Sequence, residues 1–235
     1  MSLSKKKKKD EESTSDNGVF FVAVFMALFG MLLGALYLSS FPALGFTGGK
    51  DLDSFIESIE GRSLRPGDVY YMEASTLRTG AWESKRKALL SGATGTVELT
   101  HAELNGWLAA KFRAPSPNSD DSSGVLIVPG VPNLYFDETT IYFNLPTEVI
   151  FFGSSIKYTV NARGHLSNDA QVEFIIDSIY FNSAGVPLAS VSGKQVMNMF
   201  LKAYTSTEEF IEMQNAWARI ESVEQAAGLI RIQMR

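Results

Sequence analysis

Residues 155–182 read SIKYTVNARGHLSNDAQVEFIIDSIYFN. In the first half, Ile156, Tyr158, Val160 and Ala162 alternate with Lys157, Thr159, Asn161 and Arg163. An apolar and a polar series interleaved at period two is the mark of a half-buried strand, because successive side chains leave a strand on opposite faces. Asn168-Asp169 then supplies turn chemistry, so Ser155–Leu166 and Gln171–Asn182 are expected to pair as a hairpin. Val172, Phe174 and Ile176 suit the inward face of the second strand. Ile175, Ile179 and Phe181 have the other parity, which predicts an apolar second face needing cover from helices or a ligand.

Upstream, Val125–Val128, Leu134–Phe136 and Thr140–Leu145 read as further strands, separated by Pro129-Gly130 and Asp137-Glu138. Val149-Ile150-Phe151-Phe152 is apolar on both parities. These strands hold more apolar positions than one packed face needs. Phe143, Phe151, Ile156, Tyr158, Phe174 and Ile176 are therefore the candidates to line an apolar groove.

Helices flank this centre. Lys50–Gly61 is amphipathic, with Leu52, Phe55, Ile56 and Ile59 on one side. Val69–Met72 follows as a strand after the Arg65-Pro66-Gly67-Asp68 turn. Thr79–Leu90 reads as a helix capped by Thr79, with Trp82 and Leu89 inward and Lys85-Arg86-Lys87 as a solvated basic turn. Gly95–Leu99 is a strand. Thr100-His101-Ala102-Glu103 is a capping box, in which hydroxyl and carboxylate each satisfy an orphan amide at a helix start. Leu104, Trp107, Leu108 and Phe112 give that helix one apolar face, with His101 exposed in its first turn. Ala114–Gly124 is a polar loop whose Asp120-Asp121 pair lacks the full calcium-loop pattern. Ser190–Tyr204 and Ser206–Trp217 are helices, the second opened by a Ser206…Glu209 capping box. Arg219–Val223 and Leu229–Met234 close the chain as a hairpin. The expected fold is α+β: one domain over residues 50–235 with a curved antiparallel sheet and helices packed on one face. No period of 20–50 residues repeats, which excludes solenoids and propellers.

Residues 17–49 contain no charged side chain. Within them Val19–Leu38 is continuously apolar, long enough as a helix to span a bilayer core of about 30 Å. A core helix would keep a polar stripe, and this segment has none. A signal-peptide apolar region is shorter, and Tyr37-Leu38-Ser39-Ser40 lacks a small-x-small cleavage site. Residues 18–41 are thus expected to be an uncleaved signal anchor. Residues 1–17 form a polar tail and 42–49 a tether. Lys5–Lys9 precede the anchor and no basic residue follows before Lys50, so the positive-inside rule places the tail in the cytoplasm and residues 50–235 outside the cell membrane. Gly30 and Gly34 make a GxxxG spacing for helix packing in the membrane, either a weak homodimer or contact with a membrane-protein partner.

The whole chain has 235 residues, 45% of them hydrophobic, and a formal net charge of −5. That is too apolar for a disordered protein and too acidic for general nucleic-acid binding. With no cysteine, disulfide frameworks, thiolate metal sites, cysteine nucleophiles and cysteine-linked lipid anchors are excluded. No nucleophile elbow, phosphate loop, zinc-protease helix or dinucleotide fingerprint occurs. No catalytic residue, metal ligand or cofactor is nominated.

A signal anchor, then the Leu99-Thr100-x-x-Glu103-Leu104-Asn105 helix start, long antiparallel strands, and Ser183-Ala184-Gly185-Val186-Pro187-Leu188 before a helix resemble the YpmS-type membrane-anchored envelope proteins of bacteria. The pattern, over about residues 95–204, is also similar to the BPI-like lipid-binding style of curved sheet around a long helix. The resemblance implies an extracytoplasmic domain able to hold an apolar chain, and it carries over no catalytic residue. The expected function is a single-pass membrane-anchored module binding lipid or another apolar ligand in the cell envelope. The alternative is a structural or assembly protein docking other envelope or membrane proteins.

Overall fold

The computed structural model describes residues 12–47, 50–63, 65–76, 80–92, 94–113, 125–152, 154–169 and 171–235. The Lys5–Lys9 block, Thr79 and the Ala114–Gly124 loop lie outside the described residues.

In chain order the elements begin with α1 (Glu12–Ser39), β1 (Leu44–Phe46), α2 (Lys50–Ile59), β2 (Tyr70–Met72), α3 (Ala81–Leu90), β3 (Gly95–Thr100) and α4 (His101–Lys111). The sheet-rich centre follows as β4 (Val125–Pro129), β5 (Asn133–Phe136), β6 (Ile141–Phe151), β7 (Ser154–Ser167), β8 (Glu173–Phe181) and β9 (Ala184–Gly185). Then come α5 (Gly193–Leu201) with a 3-10 turn to Tyr204, α6 (Glu208–Trp217), β10 (Ile220–Ala226) and β11 (Leu229–Met234). The chain is α+β, an apolar N-terminal helix followed by a mostly antiparallel sheet domain.

The 22 residues Gly18–Ser39 of α1 are long and apolar enough to cross a membrane. Their large apolar side chains from Val19 to Tyr37 are 41–71% exposed, so this is no core helix. Residues 42–49, expected as a tether, include β1, which pairs in parallel with β2. Two apolar side chains explain the capture: Phe46 packs against Phe55 and Tyr70 at ring separations of 5.2 and 6.2 Å.

The large sheet runs β4-β6-β7-β8-β9, with β5 pairing β6 beyond the end of β4. The stretches 140–145 and 149–152, read separately from sequence, are one strand, β6. Its Pro146 sits where β5 stops pairing, at Asn144, and β4 starts, at Thr147. The Gly130 amide still donates to the Pro146 carbonyl at 2.6 Å, and the Gly130 carbonyl, which the proline has no N–H to meet, accepts the Tyr204 hydroxyl instead.

The second-face apolar series expected in residues 171–182 has a different cause. Between β7 and β8 the register slips at Arg163/Gly164, so Ser178 faces Arg163 but Ile176 faces Gly164. This bulge flips parity. Phe174 and Ile176 before it and Ile179 and Phe181 after it all point to one face, and Ile175 alone points away, 37% exposed. A side chain on Gly164 would collide with the Ile175 carbonyl, which is why glycine stands at the slip.

Phe143, Leu145, Val160, Ala162 and Ile179 share the core face with Met197 and Phe200 of α5. A second sheet, β10-β11-β3, contributes Val97, Leu99, Ile230 and Ile232 to a larger core with Trp107 of α4 and Phe136 of β5. The opposite face of the large sheet is crossed by β2 and the residues after it. There Asn144 Nδ2 donates to the Met72 carbonyl at 2.6 Å, Arg163 donates to the Tyr70 carbonyl, and Asn133 and Ala74 exchange two hydrogen bonds.

The Thr100–Glu103 capping box forms. The one expected at Ser206…Glu209 does not. Thr207 caps α6 by accepting from the Phe210 amide, and Glu209 is buried against Arg86 and Trp107 instead. Lys85-Arg86-Lys87 is correspondingly not a free basic face, because Lys85 pairs with Glu103 and Arg86 with Glu209 and Glu212.

Candidate functional site

The six groove candidates do not share one groove. Phe143 and Phe174 reach an interior cavity of about 220 Å³ between the two sheets, walled also by Trp107, Leu108, Met213 and Ile232. Ile176 packs on the Val160–Ile179 core and against Gly193. Phe151 and Ile156 sit at the tip of the β6–β7 hairpin, 51% and 49% exposed, and line neither cavity.

Tyr158 lines a different space. A cavity of about 260 Å³ lies between α1 and the large sheet. Leu32, Ala35, Leu36 and Ser39 of α1 form one wall, and Val149, Tyr158, Val160, Phe181, Ala184 and Phe200 form the other. Positions 32, 35, 36 and 39 lie within about 100° of one helix face at 100° per residue. Apart from the Ser39 and Tyr158 hydroxyls the lining side chains are apolar, so the space favours a hydrocarbon occupant over water. It exceeds the roughly 150 Å³ of an engineered apolar cavity that takes up benzene.

The helix is held to the sheet by hydrogen bonds at its C-terminal end. Asn182 Nδ2 donates to the Ser39 carbonyl at 2.7 Å, and the Ser183 amide donates to the Phe41 carbonyl at 3.0 Å. Asn182 adopts a left-handed backbone, φ 51°, which asparagine tolerates better than most residues. Sequence reasoning missed Leu32, Ala35 and Leu36 as site residues because it treated the helix only as an anchor. Their shared face at i, i+3, i+4 was the available signal.

Gly30 and Gly34 lie about 160° and 200° around the helix from Leu32, opposite the domain. A Cβ built at either meets nothing within 4 Å.

His101, expected exposed, is half-buried and stacked on Tyr135 at 5.3 Å. Burial pushes its pKa down, which keeps the ring neutral at pH 7. His165 meets Asp177 at 3.2 Å on the exposed face of the sheet. Burial pushes the Tyr204 hydroxyl up to about 12, and it donates to the Gly130 carbonyl. Among the described residues no group of three His, Asp or Glu is placed to hold a metal.

No family model matches the chain, and no curated protein matches it in sequence, so the resemblance to YpmS-type proteins rests on the residues quoted for it.

Proposed function

We propose that this protein is a single-pass anchor with an outer domain that binds a lipid acyl chain or a similar apolar ligand, without catalysis. The tail before α1 is cytoplasmic and the sheet domain extracytoplasmic, in the cell envelope, on the strength of the Lys5–Lys9 block. A curved sheet with α4, α5 and α6 on its concave face would hold such a ligand. The observation that carries the reading is the cavity whose one wall is the anchor helix itself. A site walled by a membrane span is open to the bilayer's own chains, and so needs no aqueous route for its ligand.

Native mass spectrometry of the full chain extracted in mild detergent tests this. The expected result is a stoichiometric adduct of lipid mass that survives detergent exchange. A bare polypeptide mass under conditions that keep the domain folded would end the lipid reading.

One observation favours the assembly alternative. Ala23, Ala27, Gly30 and Gly34 form a small-residue stripe on the helix face away from the domain, so a second helix could approach there without displacing the sheet. Replacing Gly30 and Gly34 together by Leu should then abolish a dimer crosslinked in membranes. An unchanged crosslink would dismiss that stripe as an interface.

A further inference from the structure

We infer that the tip of the β6–β7 hairpin is a second membrane contact, inserted into the lipid leaflet beside α1 through Phe151, Phe152 and Ile156. This rests on the reading of α1 as a membrane span.

The helix length sets the level of the membrane. Residues 12–17 are polar, and the apolar stretch begins at Gly18. If the hydrocarbon ended before Leu32, only residues 18–31 would remain, about 21 Å of helix against a core of about 30 Å. Leu32 must therefore lie within the hydrocarbon. Across the same cavity the helix wall faces Val149 and Tyr158. Asn182 pins the other end of the same sheet region to Ser39, where the helix ends. The hairpin thus runs back along the helix, from the Ser39 level towards Leu32 and beyond. From the Val149–Ile156 pair to the Phe151–Ser154 pair is a further two residues, about 7 Å of strand.

The chemistry of the tip agrees independently. Residues 149–156 carry no charge, and the first charged pair, Glu148 opposite Lys157, sits immediately behind them. Lys157 is long enough to lift its ammonium to the headgroups while its stem stays in the apolar layer. Phe152 is 80% exposed, the highest of the exposed large hydrophobics, and its backbone is left-handed, φ 45°. A turn in water at that φ favours glycine or asparagine, and among the described residues burial does not account for a phenylalanine there. Phe151 stacks on it edge to face at 4.6 Å, making an aromatic wedge. Lipid as the occupant accounts for the exposure, the missing charge and the aromatic pair together.

The chain has no cysteine, so a single introduced one carries a nitroxide label cleanly. Three variants of the full chain in liposomes suffice: Phe152→Cys at the tip, Met26→Cys within α1, and Glu138→Cys before the far end of β6. Glu138 is exposed, and β6 is eleven residues long, so the far end lies roughly 33 Å from the tip. Collision rates with oxygen, which concentrates in lipid, and with a water-soluble nickel chelate give each label's depth. The expected result is oxygen exceeding nickel several-fold at 152 and at 26, and the reverse at 138. A label at 152 that behaves like 138 while 26 reads as lipid would overturn the insertion and leave the anchor standing. A label at 26 that reads as aqueous would overturn both.

Discussion

Asn182 is bonded to both halves of the molecule: its Nδ2 donates to the Ser39 carbonyl at the end of α1, and its Oδ1 accepts the Thr159 amide of β7 at 2.9 Å. It is 8% exposed, so neither bond is readily replaced by water. Asn182→Ala leaves a carbonyl and an amide unpaired and puts alanine in a left-handed conformation. The expected loss is about 2–3 kcal/mol, read by chemical denaturation of the detergent-solubilised chain. Asn182→Gly loses the same bonds without the backbone strain and should fall about 1 kcal/mol short of that loss. Equal stability of all three proteins would mean that the helix is not fastened here.

The Arg86–Glu209 pair joins α3 to α6, with two hydrogen bonds of 2.5 and 2.6 Å, while the Trp107 indole donates to the same carboxylate at 2.5 Å. Burial by itself would push the Glu209 carboxyl up, but the bonds from Arg86 and Trp107 outweigh it and hold the pKa below the ordinary 4.5. A folded-state pKa lowered in this way stabilises the protein above pH 4.5, and that contribution is lost as pH falls through the folded value. Arg86→Ala removes the partner and leaves a carboxylate that is 8% exposed, at a cost of about 3–5 kcal/mol. Acid titration followed by tryptophan fluorescence should show the variant unfolding at a higher pH than the parent. Coincident acid midpoints would contradict the coupling.

Because β1 lies inside the expected tether, where a soluble fragment begins matters. Residues 40–235 keep the β1–β2 pairing and the Phe46–Tyr70 contact, and residues 50–235 lose both. The shorter fragment should be less stable by about 2 kcal/mol, or roughly 4–8 °C in Tm. Equal melting temperatures would make β1 incidental.

How far the sequence foretold this arrangement depended on the range of the interactions involved. The Thr100–Glu103 capping box and the inward Leu104, Trp107 and Leu108 were legible because both are set within four residues. The β8 bulge left a trace too, an apolar spacing of two, two, three and two across 172, 174, 176, 179 and 181, but two-sided burial was the simpler reading of it. Glu209 was misread because Ser206…Glu209 satisfies a local motif, whereas Arg86 lies 123 positions away and leaves no local sign. The candidate site was legible on one side only. Tyr158 was named from strand parity, but Leu32 and Leu36 become site residues only when the sheet folds back on the helix.

The proposed topology rests on charge. Under the proposed orientation a reporter fused after Arg235 should be active outside the cytoplasm, because Lys5–Lys9 precede the span. Moving the five lysines to positions just after Ser40 should invert part of the population. Cytoplasmic activity of the unaltered fusion would contradict the orientation.

The central claim is that the anchor helix walls a lipid site, and two variants of neighbouring helix residues test it most directly. Ala35→Phe projects a ring into the cavity of about 260 Å³, whereas Gly34→Phe adds similar bulk to the opposite face, where nothing lies within 4 Å. Lipid bound per protein, measured by mass spectrometry after identical detergent extraction, should fall several-fold in Ala35→Phe and stay at the parent level in Gly34→Phe. Unchanged lipid in Ala35→Phe, with both variants folded, would contradict the account.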